Sequence, residues 1–360
     1  MVQELDRIKN LCERMHPMEK ISVVLIGYGY WGPNLARNIV LNSSYQLIAV
    51  VDQDEKRRAL VHSLYNVATY SAYEDIDDGL KIDLVVICTR PSSHKYLAAH
   101  FIGKRSNILI TKPCGLSSTE ADEIAELANK AGVKVFCDFT YHFSPLINFL
   151  VNNPSATPVI KEMREYTSYR TSLGIVQSDV DVLADLAVHD IYVLLLLKAK
   201  LPQFVNCLRT NASENAQLHA AFLTLTWDDG FTAAIHVSWN SPKKVRLISI
   251  ASRSHGVLLE EMNREAPIQL VHFAPNDSDY GALTAEERYT RNISFTMGNL
   301  EVPQIDMYEA LARETEMIAE ALAYPDSTRS IPTARDAANV WKVVEALRES
   351  NRLEGVAQNV

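Results

Sequence analysis

The sequence predicts an α/β protein: an N-terminal doubly wound parallel sheet, then a C-terminal α+β domain on a large, mostly antiparallel sheet. Three observations carry this. Short apolar runs alternate with helical patterns through the first third of the 360 residues. One of them, Leu84–Cys88 (LVVIC), is apolar throughout, as a parallel strand covered on both faces requires. Beyond about Tyr141 the order changes to one buried-looking helix followed by several alternating strands.

Taken in order, Ile21–Gly27 reads as a strand, Pro33–Leu41 as a helix and Gln46–Asp52 as a strand running into a charged helix start at Gln53–Arg58. After the LVVIC strand come a helix at Ser92–Ile102, a strand at Asn107–Ile110, a helix at Ser118–Ala131 with Ser118 or Thr119 as cap, and a strand at Val133–Phe136. In the second part a long apolar helix, Val180–Lys198, precedes strands at His219–Thr226, Phe231–Ser238, Arg246–Ser252, Gly256–Glu260 and Ile268–Phe273. Asp228-Asp229-Gly230 is a hairpin-turn signal between the first two. Helices at Asp306–Ala323 and Thr333–Arg348, joined by Tyr324–Arg329, end the chain. The expected division is 1–140 and 141–330, with the closing helix 333–349 packing back on the first domain. Tyr166–Gln177 and Asn276–Thr296 read as loops that shape a pocket.

Composition excludes several classes. Apolar residues are 47% and charged residues 22%, and the net charge of −9 has no long run of one sign, which argues against a nucleic-acid surface. Five scattered cysteines (Cys12, Cys88, Cys114, Cys137, Cys207) form no C-x-x-C pair, so neither a disulfide framework nor a metal site is indicated. Met1–Lys20 lacks the apolar core of a signal peptide, and the longest apolar run, Ile191–Leu197, is too short to span a bilayer. A cytoplasmic protein is expected. The uncovered face of the second sheet is expected to make a homodimer or homotetramer.

Gly27-Tyr28-Gly29-Tyr30-Trp31-Gly32 reads G-x-G-x-x-G between a strand and a helix, the context in which this pattern binds a dinucleotide pyrophosphate. The helix start adds unpaired N–H groups and partial positive charge. Asp52 lies 20 residues beyond Gly32 at a strand end, where a carboxylate accepts ribose hydroxyls and repels a 2′-phosphate. NAD is therefore expected over NADP, although Lys56, Arg57 and Arg58 follow closely. A helix cap is the competing reading of Asp52, and Asp54 competes for that cap. Thr89-Arg90-Pro91 and Lys112 also leave strands at the carboxyl end. All four features converge on the edge where open α/β sheets bind ligands.

Asp185 and His189, four apart on an apolar helix, share a face, while Asp190 points elsewhere. With Lys112 they suit alcohol–ketone redox chemistry. The imidazole takes the hydroxyl proton, the ammonium steadies alkoxide character, and Asp185 orients the ring or binds a neighbouring hydroxyl. A hydrogen-bonded network without chemistry is the alternative for His189, and a solvated side chain the alternative for Lys112.

These motifs resemble the Gfo/Idh/MocA oxidoreductases. The likeness runs through VVLIGYGYWGPNLARNI, VVICTRPSSHKYLA, the TKP around Lys112, FTYHFSP (Phe139–Pro145), SDVDVLADLAVHD ending at Asp190, and SIPTARDAANVWKVVEALRES. GYWGPNLARN with DVLADLAVHD looks most like the branch of sugar-nucleotide 3-dehydrogenases. The resemblance implies a Rossmann domain followed by an open, mostly antiparallel sheet, and a sugar-like small-molecule substrate. It also implies catalytic roles for Lys112, Asp185 and His189, a cofactor border at Thr89, Arg90, Pro91 and His94, and substrate contacts at Arg170, Tyr141 and His142. Thr111 departs from the family's usual Glu, Ala184 from a larger residue, and His142 from an apolar one. A non-catalytic NAD(P)-binding regulator, favoured by Thr111, and an imine or non-sugar carbonyl reductase are the alternatives.

Overall fold

The computed structural model describes residues 19–174, 180–210, 217–273, 284–287, 297–324 and 330–360. It divides into two compact units. The first comprises the chain to Gly115 with Glu123–Asp138 and Leu311–Ala334. The second comprises Leu116–Asp122, Phe139–Ala310 and Arg335–Val360.

The first unit is built on six parallel strands: β1 (Ile21–Ile26), β2 (Tyr45–Val51), β3 (Ala68–Tyr70), β4 (Leu84–Ile87), β5 (Asn107–Thr111) and β6 (Val135–Asp138). Their order, β3-β2-β1-β4-β5-β6, is that of a doubly wound dinucleotide-binding sheet. Register stacks Ala49, Val24, Val85, Ile108 and Val135 across five strands. All five are buried, and each large aliphatic among them stabilises the fold by roughly 1.5–3 kcal/mol. The helix Glu55–Tyr65 starts later than expected because Asp54, not Gln53, caps it, accepting from Lys56 N at 2.8 Å. Pro91 opens a 3₁₀ turn, Pro91–Ser93, ahead of the helix His94–Gly103. The last strand is shifted to Val135–Asp138, with the Lys134 carbonyl accepting from Ile108 N.

The second unit holds β7 (Glu165–Leu173), β8 (Phe204–Arg209), β9 (Ala220–Thr226), β10 (Thr232–Ser238), β11 (Asn240–Ala251), β12 (His255–Glu260), β13 (Ile268–Phe273), β14 (Met297–Glu301) and β15 (Gln358–Asn359). They form one sheet in the order β14-β13-β12-β11-β7-β10-β9-β8-β15, antiparallel except for β7 with β10. The stretch expected to begin a loop at Tyr166 is instead the central strand. Its buried side carries Ser168 and Arg170 beside Tyr166, so polar residues hide the period-2 signal. The rest of that stretch from 175, and nearly all of 276–296 and 324–329, lie outside the described residues. On the opposite face a row of exposed or half-buried residues runs in register across five strands: Leu208, Phe222, His236, Tyr169 and Leu247. The rings of Phe222 and His236 stack at 4.2 Å.

Two helical features differ from expectation. Val180–Lys198 is not one α-helix: a π-helical turn, Leu183–Ala187, precedes the α-helix Val188–Lys198, and Val188 N–H reaches back five residues to the Leu183 carbonyl. The closing helix Ala334–Arg352 groups with the second unit from Arg335 onward. Arg348 Nε donates to Asp181 Oδ2 at 2.8 Å, Ser350 Oγ accepts from Cys207 N at 2.9 Å, and Glu345 takes both donors of Ser118. With Ser118 so engaged, Ser117 caps its helix, accepting from Glu120 N. The preceding helix, Ala310–Ala323, joins the first unit instead, its Thr315 carbonyl accepting from the Tyr45 hydroxyl at 2.7 Å. Among the described residues no helix is long and apolar enough to cross a membrane.

Candidate functional site

In the first unit the glycine loop, Asp52, Thr89–Pro91 and Lys112 all follow strand ends at the carboxyl edge of one sheet. The loop is set by backbone contact. Gly27 has φ +94°, and a Cβ there would stand 2.4 Å from the Cys88 carbonyl oxygen. A Cβ on Gly32 would stand 2.5 Å from the Gly27 oxygen, so the turn closes on itself only as glycine. The helix Gly32–Leu41 begins with no side-chain cap and with Pro33 in its first turn, so its N-terminal pole is of the kind that can receive an anion.

Asp52 is the hub of this loop. Its Oδ2 accepts from Tyr28 N at 2.7 Å, its Oδ1 accepts from Asp54 N at 2.9 Å, and Arg57 Nη1 stands 3.6 Å from Oδ2. Because Asp54 is the helix cap, the capping reading of Asp52 falls away. Arg58 turns to the carbonyls of Asp52 and Gln53. Tyr28 is buried, and burial followed by a hydrogen bond with Tyr65 pushes its phenol well up. Tyr30 is 92% exposed, and Trp31 Nε1 donates to Asp138 Oδ2 at 2.7 Å.

Around β4 and β5 the structure separates struts from exposed groups. His94, expected at the cofactor border, is wholly buried. Its ring nitrogens lie 3.0 Å from the Pro113 carbonyl and 3.1 Å from the Thr89 carbonyl, so it ties two loops together. Thr89 Oγ1 pairs with Ser93 Oγ at 2.6 Å. Thr111, in the place of the family's Glu, donates to the Ile87 carbonyl and serves the sheet. Burial pushes the Cys88 thiol up to about 12, away from the thiolate form that reacts. Lys112 is half-buried at the end of β5.

The second unit gathers the other candidates. Asp185, in the π-helical turn, accepts from Trp239 Nε1 at 2.9 Å. His189, in the first turn of the following helix, packs against the ring of Tyr141, centroids 4.9 Å apart. Asp190 does point away from this pair, into a buried fork with Arg170: Nε to Oδ2 at 2.5 Å and Nη2 to Oδ1 at 3.2 Å. Arg170 is 2% exposed, and its Nη1 donates to the Tyr141 hydroxyl. Expected beside substrate, it faces inward instead, because its fork is spent on Asp190 and Tyr141.

Tyr141 OH in turn donates to Glu261 Oε2 at 2.9 Å. Burial, with Glu261 adding to it and Arg170 opposing, pushes this phenol up to about 12. Burial also raises the Glu261 carboxyl, with Arg170 and Tyr141 opposing. His142 Nδ1 lies 2.7 Å from the Tyr192 hydroxyl, and the Tyr192 ring stacks on Phe139 at 4.3 Å. Sequence reasoning missed Glu261 and Trp239, since each meets its partner across more than 50 residues and no local pattern marks it.

Residues 21–139 match the model of an oxidoreductase family with an NAD-binding Rossmann fold, Gfo/Idh/MocA. The UDP-N-acetylglucosamine 3-dehydrogenase of Acidithiobacillus ferrooxidans is 27% identical over 203 residues, 56% of this chain and 62% of that protein. Biliverdin reductase A of Mus musculus is 30% identical over 116 residues, 32% of this chain and 38% of that one. The matched stretches thus span less than two thirds of either relative. A solved structure of the Acidithiobacillus enzyme superposes with a TM-score of 0.77 at 20% identity, covering 92% of this chain and 98% of the other, a likeness of fold.

Proposed function

We propose, from the match of residues 21–139 to the Gfo/Idh/MocA oxidoreductase family, that this chain is an NAD(P)-dependent dehydrogenase of sugar-like substrates. It interconverts a secondary hydroxyl and a ketone on a sugar, sugar phosphate, sugar nucleotide or cyclitol. The observation that carries this reading is the gathering of the glycine loop, Asp52, Thr89–Pro91 and Lys112 at one carboxyl edge of a parallel sheet. The residues present fit a dinucleotide, because Gly27 and Gly32 close a tight strand-to-helix turn that has no room for Cβ atoms, while Gly29 between them leaves open space beside the backbone. When bound, the nicotinamide supplies the hydride acceptor or donor.

In this proposal His189 takes the hydroxyl proton and Lys112 holds the developing alkoxide by its ammonium. Asp185, fixed by Trp239, orients the imidazole or holds a neighbouring hydroxyl. The Asp52 carboxylate favours NAD over NADP, and KM for each cofactor tests it: a clear preference for NADP overturns the assignment. Similarity to the 3-dehydrogenase supports a sugar-nucleotide substrate. The biliverdin reductase match supports the reductase alternative only within the dinucleotide-binding part.

The decisive experiment screens sugar nucleotides, sugar phosphates and cyclitols for NADH formation, then compares Lys112→Ala and His189→Ala on the best substrate. Loss of at least about a hundredfold in turnover is expected for each. Near-wild-type rates in both would end the chemistry, and cofactor binding without turnover on any compound would select the regulator. A cytoplasmic site of action and self-association through the row of exposed or half-buried residues on the second sheet belong to the same reading. Sedimentation of the chain across concentrations tests the latter, and a monomer at every concentration refutes it.

A further inference from the structure

The helix that carries His189 starts from an irregular turn, and something must fix its rotation. The π-helical turn Leu183–Ala187 wraps one extra residue into the coil, so the register of the helix beyond it is not set by the coil alone. The side chain next to His189 supplies the missing constraint. Asp190 is 1% exposed and held by two arms of the Arg170 guanidinium. Arg170 itself stands on β7, paired with β10 on one side and β11 on the other.

The same guanidinium lies 4.2 Å above the Tyr141 ring, and its third arm reaches the Tyr141 hydroxyl. That hydroxyl has its proton committed to Glu261. Glu261 is held by its backbone N–H, which donates to the carbonyl of Arg246, the residue opposite Arg170 in the β7–β11 register. Arg246 completes the ring of charges, its Nη1 donating to the Thr171 and Val245 carbonyls. Tyr141 therefore offers His189 neither a free proton nor a base. What it offers is a clamped aromatic surface, tilted 50° to the imidazole.

We propose that Tyr141, Arg170, Asp190 and Glu261 are positioning residues that set the orientation and charge environment of the His189 imidazole. The proposal rests on the reading of His189 as the proton acceptor. Arg170 and Asp190 fix the rotation of the helix turn, and Glu261 and Arg170 fix the ring that the imidazole lies against. A buried ion pair is a poor device for stability, since well-packed apolar residues replace it at little cost, but it is an exacting device for geometry. The charged groups around Tyr141 are Arg170 and Arg246 from the strands, Glu261 from beyond β12 and Asp190 from the helix of His189, with Asp185 in the turn before that helix.

The test is NMR titration of the histidine ring protons in the full-length chain, with the His189 resonance assigned by its disappearance in His189→Gln. Glu261→Gln and Tyr141→Phe change no atom of the His189 side chain itself, and circular dichroism confirms their fold. Glu261→Gln is expected to move the His189 resonance, because the ring current of an unclamped Tyr141 changes. It is also expected to lower the titration midpoint, because a negative charge is removed. Tyr141→Phe is expected to move the resonance while Tyr169→Phe, on the opposite, exposed face of the same sheet, does not. Unchanged position and midpoint in both Glu261→Gln and Tyr141→Phe overturn the cluster. Unchanged NMR with turnover abolished in His189→Ala sinks the cluster alone, whereas an NMR response with full turnover in His189→Ala sinks the base assignment alone.

Discussion

The two units hold their candidate groups by opposite means. In the first, the site is made of backbone: glycines too close to their neighbours for a Cβ, an uncapped helix start and a carboxylate gripped by main-chain N–H groups. In the second it is made of side chains drawn from distant strands, a buried chain of alternating charge from Asp190 through Arg170 and Tyr141 to Glu261. A backbone site is fixed by local sequence and fails through steric strain. A side-chain site is fixed by topology and fails when one charge loses its partner.

The largest expected effect therefore lies in the second unit. Arg170→Ala strands the buried Asp190 and is expected to cost about 3–5 kcal/mol in chemical denaturation. Arg170→Met combined with Asp190→Leu should recover most of that loss, because the uncompensated charge goes with its partner. A single variant as stable as the parent would break the comparison.

In the first unit, Gly27→Ala forces a side chain into positive φ and onto the Cys88 carbonyl, a strain of about 1–3 kcal/mol. It should lose NAD affinity by calorimetry as well as stability. Gly29→Ala sharpens the point. A Cβ there meets nothing nearer than Arg57 Nη1 at 3.8 Å, so the fold should be kept and only dinucleotide binding weakened. Equal destabilisation by the two variants would show that the loop is not held by the close approach described.

The smallest effect concerns a buried carboxyl in the first unit that belongs to neither scheme. Glu314 is wholly buried, neither oxygen has a hydrogen-bond partner, and burial, with Asp138 adding to it, raises its carboxyl well above the usual range. A raised folded value means that the folded state keeps the proton. Its contribution to stability is thus intact below the unfolded value near 4.5 and is lost as pH climbs from there toward the folded value. Glu314→Met should stabilise the protein by about 1 kcal/mol at neutral pH, and the gain should grow as pH rises above the unfolded value near 4.5. Thermal melts across that range measure it, and a gain that shrinks as pH rises would show that the carboxyl is ionised in the fold.

The contrast between the units also explains what could be read from sequence. G-x-G-x-x-G, the acid at Asp52 and the strand ends before Thr89 and Lys112 are legible because each is a local rule of backbone geometry. Five of the six parallel strands follow from the same alternation, whereas β3, only three residues long, carries no such signal and the strand order was not legible. β7 was not legible, since Ser168 and Arg170 occupy its buried side and the alternation of apolar residues disappears. Arg170, which the resemblance placed at a substrate, is found in a core ion pair. The place of the closing helix with the second unit depends on Arg348, Ser350 and Glu345 meeting Asp181, Cys207 and Ser118. Those partners lie more than 140 residues away in each case, where periodicity has no reach.

The extra residue in the coil at Leu183–Ala187 bears on the length of the chain. Each residue of an α-helix turns the following ones by about 100°. Deleting one residue there would let the segment close as ordinary helix, swinging everything ahead of it by that angle against everything behind. Asp185 would turn from the Trp239 indole while Asp190 stayed locked to Arg170. Spacing in this segment is consequently as much a part of the site as the identity of its residues, and a one-residue deletion there should be tolerated less well than most substitutions.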